Sequence, residues 1–286
     1  MINDVDIACI TECWIAENDE IDINGFYSQK FHRKKGKGGG MVLLIKNDFK
    51  KHVELVENVK DTILVVKVKN SKIEDKPIFL LFCYIPPEGS VFYRREDVDL
   101  FNIMTELIGK YENFGNVFLA GDLNARCGTN NDFIVNDTLI QNISDLIQPL
   151  SSYDFDSDNT DRKSEDKGVN QFGRSLLNLC KSTGYRIVNG RHSDDSNGSV
   201  TFYGANGFSL IDYLICRQKI LKYVTYFSSG VFSPLSDHSP LNFKLNCTMS
   251  QKNYSQVLQE NINVNVRCES KNLRWRMKKK KISMKN

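Results

Sequence analysis

The segment Val117-Phe118-Leu119-Ala120-Gly121-Asp122-Leu123-Asn124 constrains the fold of this chain more than any other. Apolar residues run without a polar break, a glycine follows, and then a carboxylate and an amide stand two residues apart. Such a run reads as a strand covered on both faces. Its end delivers Asp122 and Asn124 into a crevice, where open α/β structures place their chemistry. By itself an Asp-x-Asn after a strand is more often a turn or a helix cap. Two later segments give it weight: Ser209-Leu210-Ile211-Asp212-Tyr213 and Ser236-Asp237-His238-Ser239-Pro240.

Further strand-like runs are Ile7 to Ile10, Met41 to Ile45, Ile63 to Val68, Ile78 to Tyr84, Leu210 to Cys216 and Leu241 to Leu245. Apolar residues recur at helical spacing from Val98 to Ile108, and again from Ser175 to Cys180 with a stop near Gly184. Several strands follow one another without helices, which argues against a simple alternating βαβ array. A layered α/β sandwich with mixed sheets suits the order better. The stretch from Ser151 to Gly168 is polar and aperiodic, and reads as a loop. Past Cys247 Asn and Gln accumulate and periodicity fades, so the domain is expected to span residues 1–247, with 248–286 as a basic, loosely ordered tail.

The net charge of +3 conceals an uneven distribution: residues 267–286 carry nine Lys or Arg against one Glu, and the remaining body is −5. A basic footprint over the whole domain is therefore absent, while a local patch stays open. None of the eight cysteines forms a C-x-x-C pair, which disfavours zinc. Cys9, Cys83, Cys180 and Cys216 lie in apolar runs and read as small core residues in a reducing, intracellular setting. No signal peptide is read at the N-terminus, and no apolar run reaches the length of a membrane-spanning helix, so no membrane is expected as a partner.

Polar residues stand where strands end: Glu12 after Ile7-Ala8-Cys9-Ile10-Thr11, Tyr84 after Phe79-Leu80-Leu81-Phe82-Cys83, and Asp237 and His238 before the last run. Asp212 sits inside a strand, where a carboxylate is costly to bury unless paired. His238 is its natural partner, since an Asp that orients a His fixes the tautomer and supports its positive charge. With Glu12 and Asp122 these residues gather several hard oxygen ligands and one imidazole. That set suits Mg²⁺ or Mn²⁺ rather than zinc, and the matching chemistry is metal-assisted hydrolysis of a phosphate ester. Singly, Glu12 reads as a solvated strand end and Tyr84 as a packing residue. Gly36 to Gly40 lacks the Gly-Lys-Ser/Thr of a P-loop and reads as a flexible loop into a strand. A Ser209–Asp212–His238 triad ranks lower, because there is no Gly-x-Ser-x-Gly elbow.

In order along the chain, Thr11-Glu12, Gly38-Gly39-Gly40, Tyr84-Ile85-Pro86-Pro87, Gly121-Asp122-Leu123-Asn124-Ala125-Arg126, Ser209-Leu210-Ile211-Asp212-Tyr213 and Ser236-Asp237-His238-Ser239-Pro240 resemble the endonuclease/exonuclease/phosphatase superfamily. Within it, the chain resembles the apurinic-type endonuclease domain of non-LTR retrotransposon polyproteins. The resemblance implies a four-layer α/β sandwich of two packed mixed sheets flanked by helices. It implies a Mg²⁺-dependent DNA endonuclease, with a reverse transcriptase domain downstream in a longer parent. Glu12 would bind the metal, with Asp237 supporting it. Asp122 would activate water, Asn124 would orient it, Asp212 would hold His238 against the scissile phosphate, and Tyr84 would contact a phosphate oxygen.

One departure stands out. The family opens with a strand that carries an Asn near the metal, then a helix. Here the Glu12 strand comes first, and Asn3 cannot fill that place. The expectation is a chain lacking its first strand, with an interior gap and an unpaired ladder and impaired activity. Two rivals follow: a non-catalytic remnant that binds nucleic acid or a partner, and a phosphatase of the same fold acting on a lipid or small phosphoester. The basic run Lys278 to Lys281 reads either as a phosphate-backbone contact or nuclear address, or as a solvated linker.

Overall fold

The computed structural model describes residues 5–32, 39–135, 160–205, 207–234, 236–250 and 257–268. The strands are β1 (Ile7–Thr11), β2 (Phe26–Phe31), β3 (Met41–Lys46), β4 (Val53–Val59), β5 (Ile63–Ile73), β6 (Lys76–Tyr84), β7 (Asn116–Asp122), β8 (Tyr185–Ile187), β9 (Phe202–Gly204), β10 (Gly207–Ser209), β11 (Asp212–Arg217), β12 (Val224–Ser229), β13 (Leu241–Ser250) and β14 (Val257–Cys268). Among the described residues three α-helices, α1 (Val91–Glu96), α2 (Leu100–Glu112) and α3 (Gln171–Thr183), lie between them.

Twelve of the strands form two arrays, and β9 pairs with β10 in a separate small sheet. One runs β2-β3-β1-β14-β13, with β12 along the other edge of β13; the second runs β4-β5-β6-β7-β11-β8. They join at a corner, where the end of β13 pairs Thr248 with Lys72 and Met249 with Ser71 of β5. Side chains alternate between faces along a strand, and each array turns one apolar face to the other. Ile7, Cys9, Leu43, Phe243 and Val264 of the first share a core with Leu64, Leu80, Phe82, Phe118 and Leu214 of the second. Complete burial of one such side chain stabilises the fold by about 1.5–3 kcal/mol.

The second array is apolar on its outer face too. Phe79, Leu81, Val117, Leu119, Tyr213 and Ile215 pack under α2 and α3. The helical spacing of 98–108 becomes α2, which starts at Asp99, whose carboxylate accepts the N–H groups of Phe101 and Asn102. Helix α3 is capped by Asn170 and ends at Gly184, which adopts the left-handed conformation common at helix C-termini. The first array's outer face is different. Ala8, Val42 and Leu44 are covered by Ile15, Ile21, Ile23 and their neighbours from the segment after β1, and among the described residues no helix lies there. The architecture is thus the expected α/β sandwich of mixed sheets, with helices over one outer face. No helix of the described residues is long and apolar enough to cross a membrane.

Strand β14 corrects the expected domain boundary. It pairs in parallel with β1 and antiparallel with β13, so the sheet continues past residue 247 to Cys268. Ile262, Val264 and Val266 face the core while Asn263 and Asn265 face outward. Only every second residue is apolar, so the segment's average hydropathy falls although it is a strand. The expected gap beside the Glu12 strand is absent: β1 is paired on both edges, with β3 and β14. Asn3 and the basic run 278–281 lie outside the described residues.

The described part of the predicted polar loop, 160–168, is irregular but packed, with Arg162, Ser164 and Asp166 buried. Cys9, Cys83, Cys180 and Cys216 are buried thiols, as expected for core residues, and burial pushes each well above the usual thiol range. They are packing groups rather than nucleophiles.

Candidate active site

Adjacent strands of the second array end at one level. Tyr84 of β6 is in register with Asp122 of β7, and Asp122 with Asp212 of β11. The strand that carries Asp122 depends on Gly121, whose φ is +145° and where a Cβ would lie 1.9 Å from the Cys83 carbonyl oxygen. Only glycine lets β6 and β7 approach this closely at the site. The turn after β7 holds Asn124 at φ 47°, in the left-handed region. Its backbone N–H donates to Asp122 Oδ1 at 2.9 Å, and its side-chain amide donates to Asp122 Oδ2 at 3.1 Å and to the Ile85 carbonyl at 2.9 Å. Asp122 and Asn124 therefore form one rigid acid–amide unit.

His238 arrives from the other direction. Its Nδ1 lies 2.9 Å from Asp212 Oδ2, and both residues are 4% exposed. The backbone N–H of His238 donates to Ser236 Oγ at 3.0 Å, and the Phe202 ring packs 4.8 Å from the imidazole. Asp212 is itself braced: Thr201 Oγ1 accepts the N–H groups of Ile211 and Asp212, and the Asn189 amide donates to the Asp212 carbonyl. Ligand atoms of Asp122, Asp212 and His238 all fall within 4.8 Å of one another. Burial, and then the charge of Asp212, push the Asp122 carboxyl well above the usual carboxylate range; His238 and the Asn124 N–H pull the other way.

Glu12 reaches this cluster from the first array. The Tyr84 hydroxyl donates to its Oε1, and its charge adds to the push on Asp122. Glu12 and Trp14 both have positive φ. The backbone that follows Glu12 is held by the glycine run, for Cys13 N–H donates to the Gly40 carbonyl and Trp14 N–H to that of Gly39. The described end of the expected loop thus has a defined task. Asp237 is exposed, outside the buried cluster, and its carbonyl accepts from Tyr203 N–H at 2.8 Å. Ser209 sits in the small β9–β10 hairpin and its carbonyl accepts from Thr201 N–H at 2.9 Å.

Sequence reasoning thus named Glu12, Tyr84, Asp122, Asn124, Asp212 and His238, whose side chains the structure brings together. It gave no role to the braces Thr201, Asn189, Ser236 and Phe202, nor to a pair of exposed aromatics on the neighbouring hairpin. Tyr203 and Phe208, 55% and 58% exposed, stack with centroids 4.6 Å apart on the β9–β10 hairpin. The alternation Thr201-Phe202-Tyr203-Gly204 followed by Gly207-Phe208 was the available signal. The donor set, two buried carboxylates and an imidazole with a third carboxylate close by, fits a hard divalent cation. Packed acids of like charge are destabilising unless a proton or a cation sits among them.

No family model matches the sequence, and no curated protein matches it. Solved structures do. The endonuclease domain of TRAS1, a telomere-specific non-LTR retrotransposon, superimposes with a TM-score of 0.51 at 14% identity, over 84% of this chain and 85% of that one. The 3′ phosphatase NExo from Neisseria, bound to a product DNA hairpin, superimposes with a TM-score of 0.50 at 12% identity, over 84% of this chain and 89% of the other. The chain has the endonuclease/exonuclease/phosphatase fold.

Proposed function

We propose that this protein is a divalent-cation-dependent phosphodiesterase that cuts within DNA, an endonuclease of the retrotransposon type. The observation that carries the reading is the convergence of Asp122, Asn124, Asp212 and His238 at neighbouring strand ends, with Glu12 and Tyr84 beside them. Asp122 accepts the proton of the attacking water. Asn124, fixed to Asp122, orients that water. His238, with Nδ1 bonded to Asp212, donates to the phosphate and stabilises the charge that grows there. Glu12 would hold the cation, with Asp237 supporting it; the Tyr84 hydroxyl, which donates to Glu12, would turn its one O–H to a phosphate oxygen once the cation takes Glu12. When bound, Mg²⁺ or Mn²⁺ supplies positive charge against the phosphate.

The exposed Tyr203–Phe208 pair supports a nucleic-acid substrate. The hairpin that carries it is tied to the His238 segment by the Tyr203–Asp237 backbone bond, and exposed aromatics suit the faces of bases. A phosphatase of the same fold would release inorganic phosphate instead. The test is nicking of supercoiled plasmid in Mg²⁺ against EDTA, with His238→Ala and Asp122→Ala beside the unaltered chain. Metal-dependent nicking lost in both variants is expected. Release of phosphate from a terminal monoester without nicking would replace the endonuclease reading by the phosphatase one, and neither activity in folded protein would leave the remnant.

A further inference from the structure

The Glu12 strand belongs to the first array, whereas Asp122 and Asp212 belong to the second, so something must set the distance between them. Strand β1 pairs with β3 and β14 only, and β3 continues to β2. Among the described residues, the β1–β3–β2 trio is joined by strand pairing to the rest of the molecule through β14 alone. On its other edge β14 pairs with β13 from Leu241↔Val266 to Ser250↔Val257. Val266 is the shared rung: it is in register with Cys9 of β1 and with Leu241 of β13. Glu12 lies three residues beyond Cys9, and His238 three residues before Leu241. The two site residues thus sit on strands separated by β14, at the same end of the sheet.

The register is pinned on both sides. Asp6 N–H donates to the Asn263 carbonyl at 3.0 Å, and Asn263 N–H donates to Asp6 Oδ2 at 2.9 Å. On the β13 side the Asn265 amide bonds Asn242 Oδ1. A slip by one residue would turn Ile262, Val264 and Val266 out of the core. A slip by two would keep them inside but break both asparagine locks. Strands in a sheet lie about 4.8 Å apart, so without β14 no strand pairing among the described residues fixes the separation of Glu12 from His238.

We propose that residues 257–268 are a positioning element of the active centre: β14 is the spacer strand that places Glu12 against His238 and the Asp122 cluster. The role of Glu12 rests on the function proposed above; the placement of its strand by β14 does not. The test uses the whole chain with a protease site inserted between residues 250 and 257, folded intact and then cut. Trp275→Phe leaves Trp14, two residues past Glu12, as the single tryptophan reporter.

After cutting, the fragment from 257 onward is expected to stay bound with nicking retained. Stripping it in mild denaturant and refolding should shift Trp14 emission and lower nicking about 100-fold, the scale of a site displaced by an ångström or more. Adding a peptide of residues 255–270 should restore both, as should the peptide with Val264→Ile, while Val264→Lys should restore neither. Loss of the fragment on cutting with Trp14 emission and Mg²⁺-dependent nicking unchanged overturns the proposal. In a chain that never nicks, the Trp14 signal still decides: a shift reversed by the peptide supports the spacer, and no shift overturns it.

Discussion

The two strand arrays solve the same problem in different ways. In the second, β6, β7 and β11 are buried on both faces, between the shared core and the helices α2 and α3. Their sequences are nearly continuous apolar runs, and the acidic residues appear only where those runs end. In the first, β13 and β14 bury one face and turn Asn242, Lys244, Asn263 and Asn265 the other way. A polar outer face needs no helix, and the small apolar patch on β1 and β3 is covered by the chain that follows Glu12. A doubly covered strand makes a rigid platform for a general base. A singly covered one holds its neighbours by register and hydrogen bonds.

The comparison can be broken most sharply at the platform. Asp212→Asn leaves His238 with a neutral partner in the wrong hydrogen-bonding state, and nicking is expected to fall about 10²–10⁴-fold in a plasmid assay with little change in melting temperature. A loss below tenfold would show that the pair only packs. Gly121→Ala tests the close approach of β6 and β7. Its Cβ would meet the Cys83 carbonyl, which is backbone and cannot turn aside, so a destabilisation of about 3 kcal/mol or more is expected in urea titration. Core truncations then contrast the arrays: Phe82→Ala, at the shared core, should cost about 3–5 kcal/mol, and Leu44→Ala, under the thin cover of the first array, about 2 kcal/mol. Equal costs would erase the distinction.

A smaller effect concerns pH. Asp122 has a folded-state pKa above its unfolded value, mainly from burial and then from Asp212. The folded state therefore holds that proton more tightly. The stability it confers is complete below the ordinary carboxylate range and is lost as pH rises through the raised value. Melting temperature in EDTA should accordingly fall with rising pH, and saturating Mg²⁺ should restore it by binding the ionised form. Asp122→Asn should flatten the slope and raise the metal-free melting temperature at pH 8 by about 2 °C while removing activity. A slope unchanged in this variant would assign the pH dependence to another group.

Much of the second array was legible in the amino-acid order. Ile78 to Tyr84, Val117 to Ala120 and Leu210 to Cys216 are nearly continuous apolar runs; the first two lie within strands and the third is a strand from Asp212 on. The first array was read less well. Asn261-Ile262-Asn263-Val264-Asn265-Val266 alternates with the period of a strand, yet half its residues are polar and it resembles the loose composition of a tail. At the edge of the second array, Val53–Val59 of β4 alternates in the same way and gives an equally weak signal. The braces around Asp212 could not have been found either, since Thr201 and Asn189 are ordinary loop residues until the backbone of β11 is laid beside them.

The order of residues by itself marked which side chains are candidates for the chemistry. Carboxylates at the ends of apolar runs are costly to bury without a partner, so Asp122 and Asp212 stand out in the sequence, and Asn124 and His238 beside them. Only the tertiary structure decided how they meet. The Tyr84–Glu12 contact spans 72 residues, and β14 pairs with β1 from the other end of the chain. Neither has a local signal, because strand pairing and register are set by which edges remain open and which faces must be covered once the rest of the sandwich has formed.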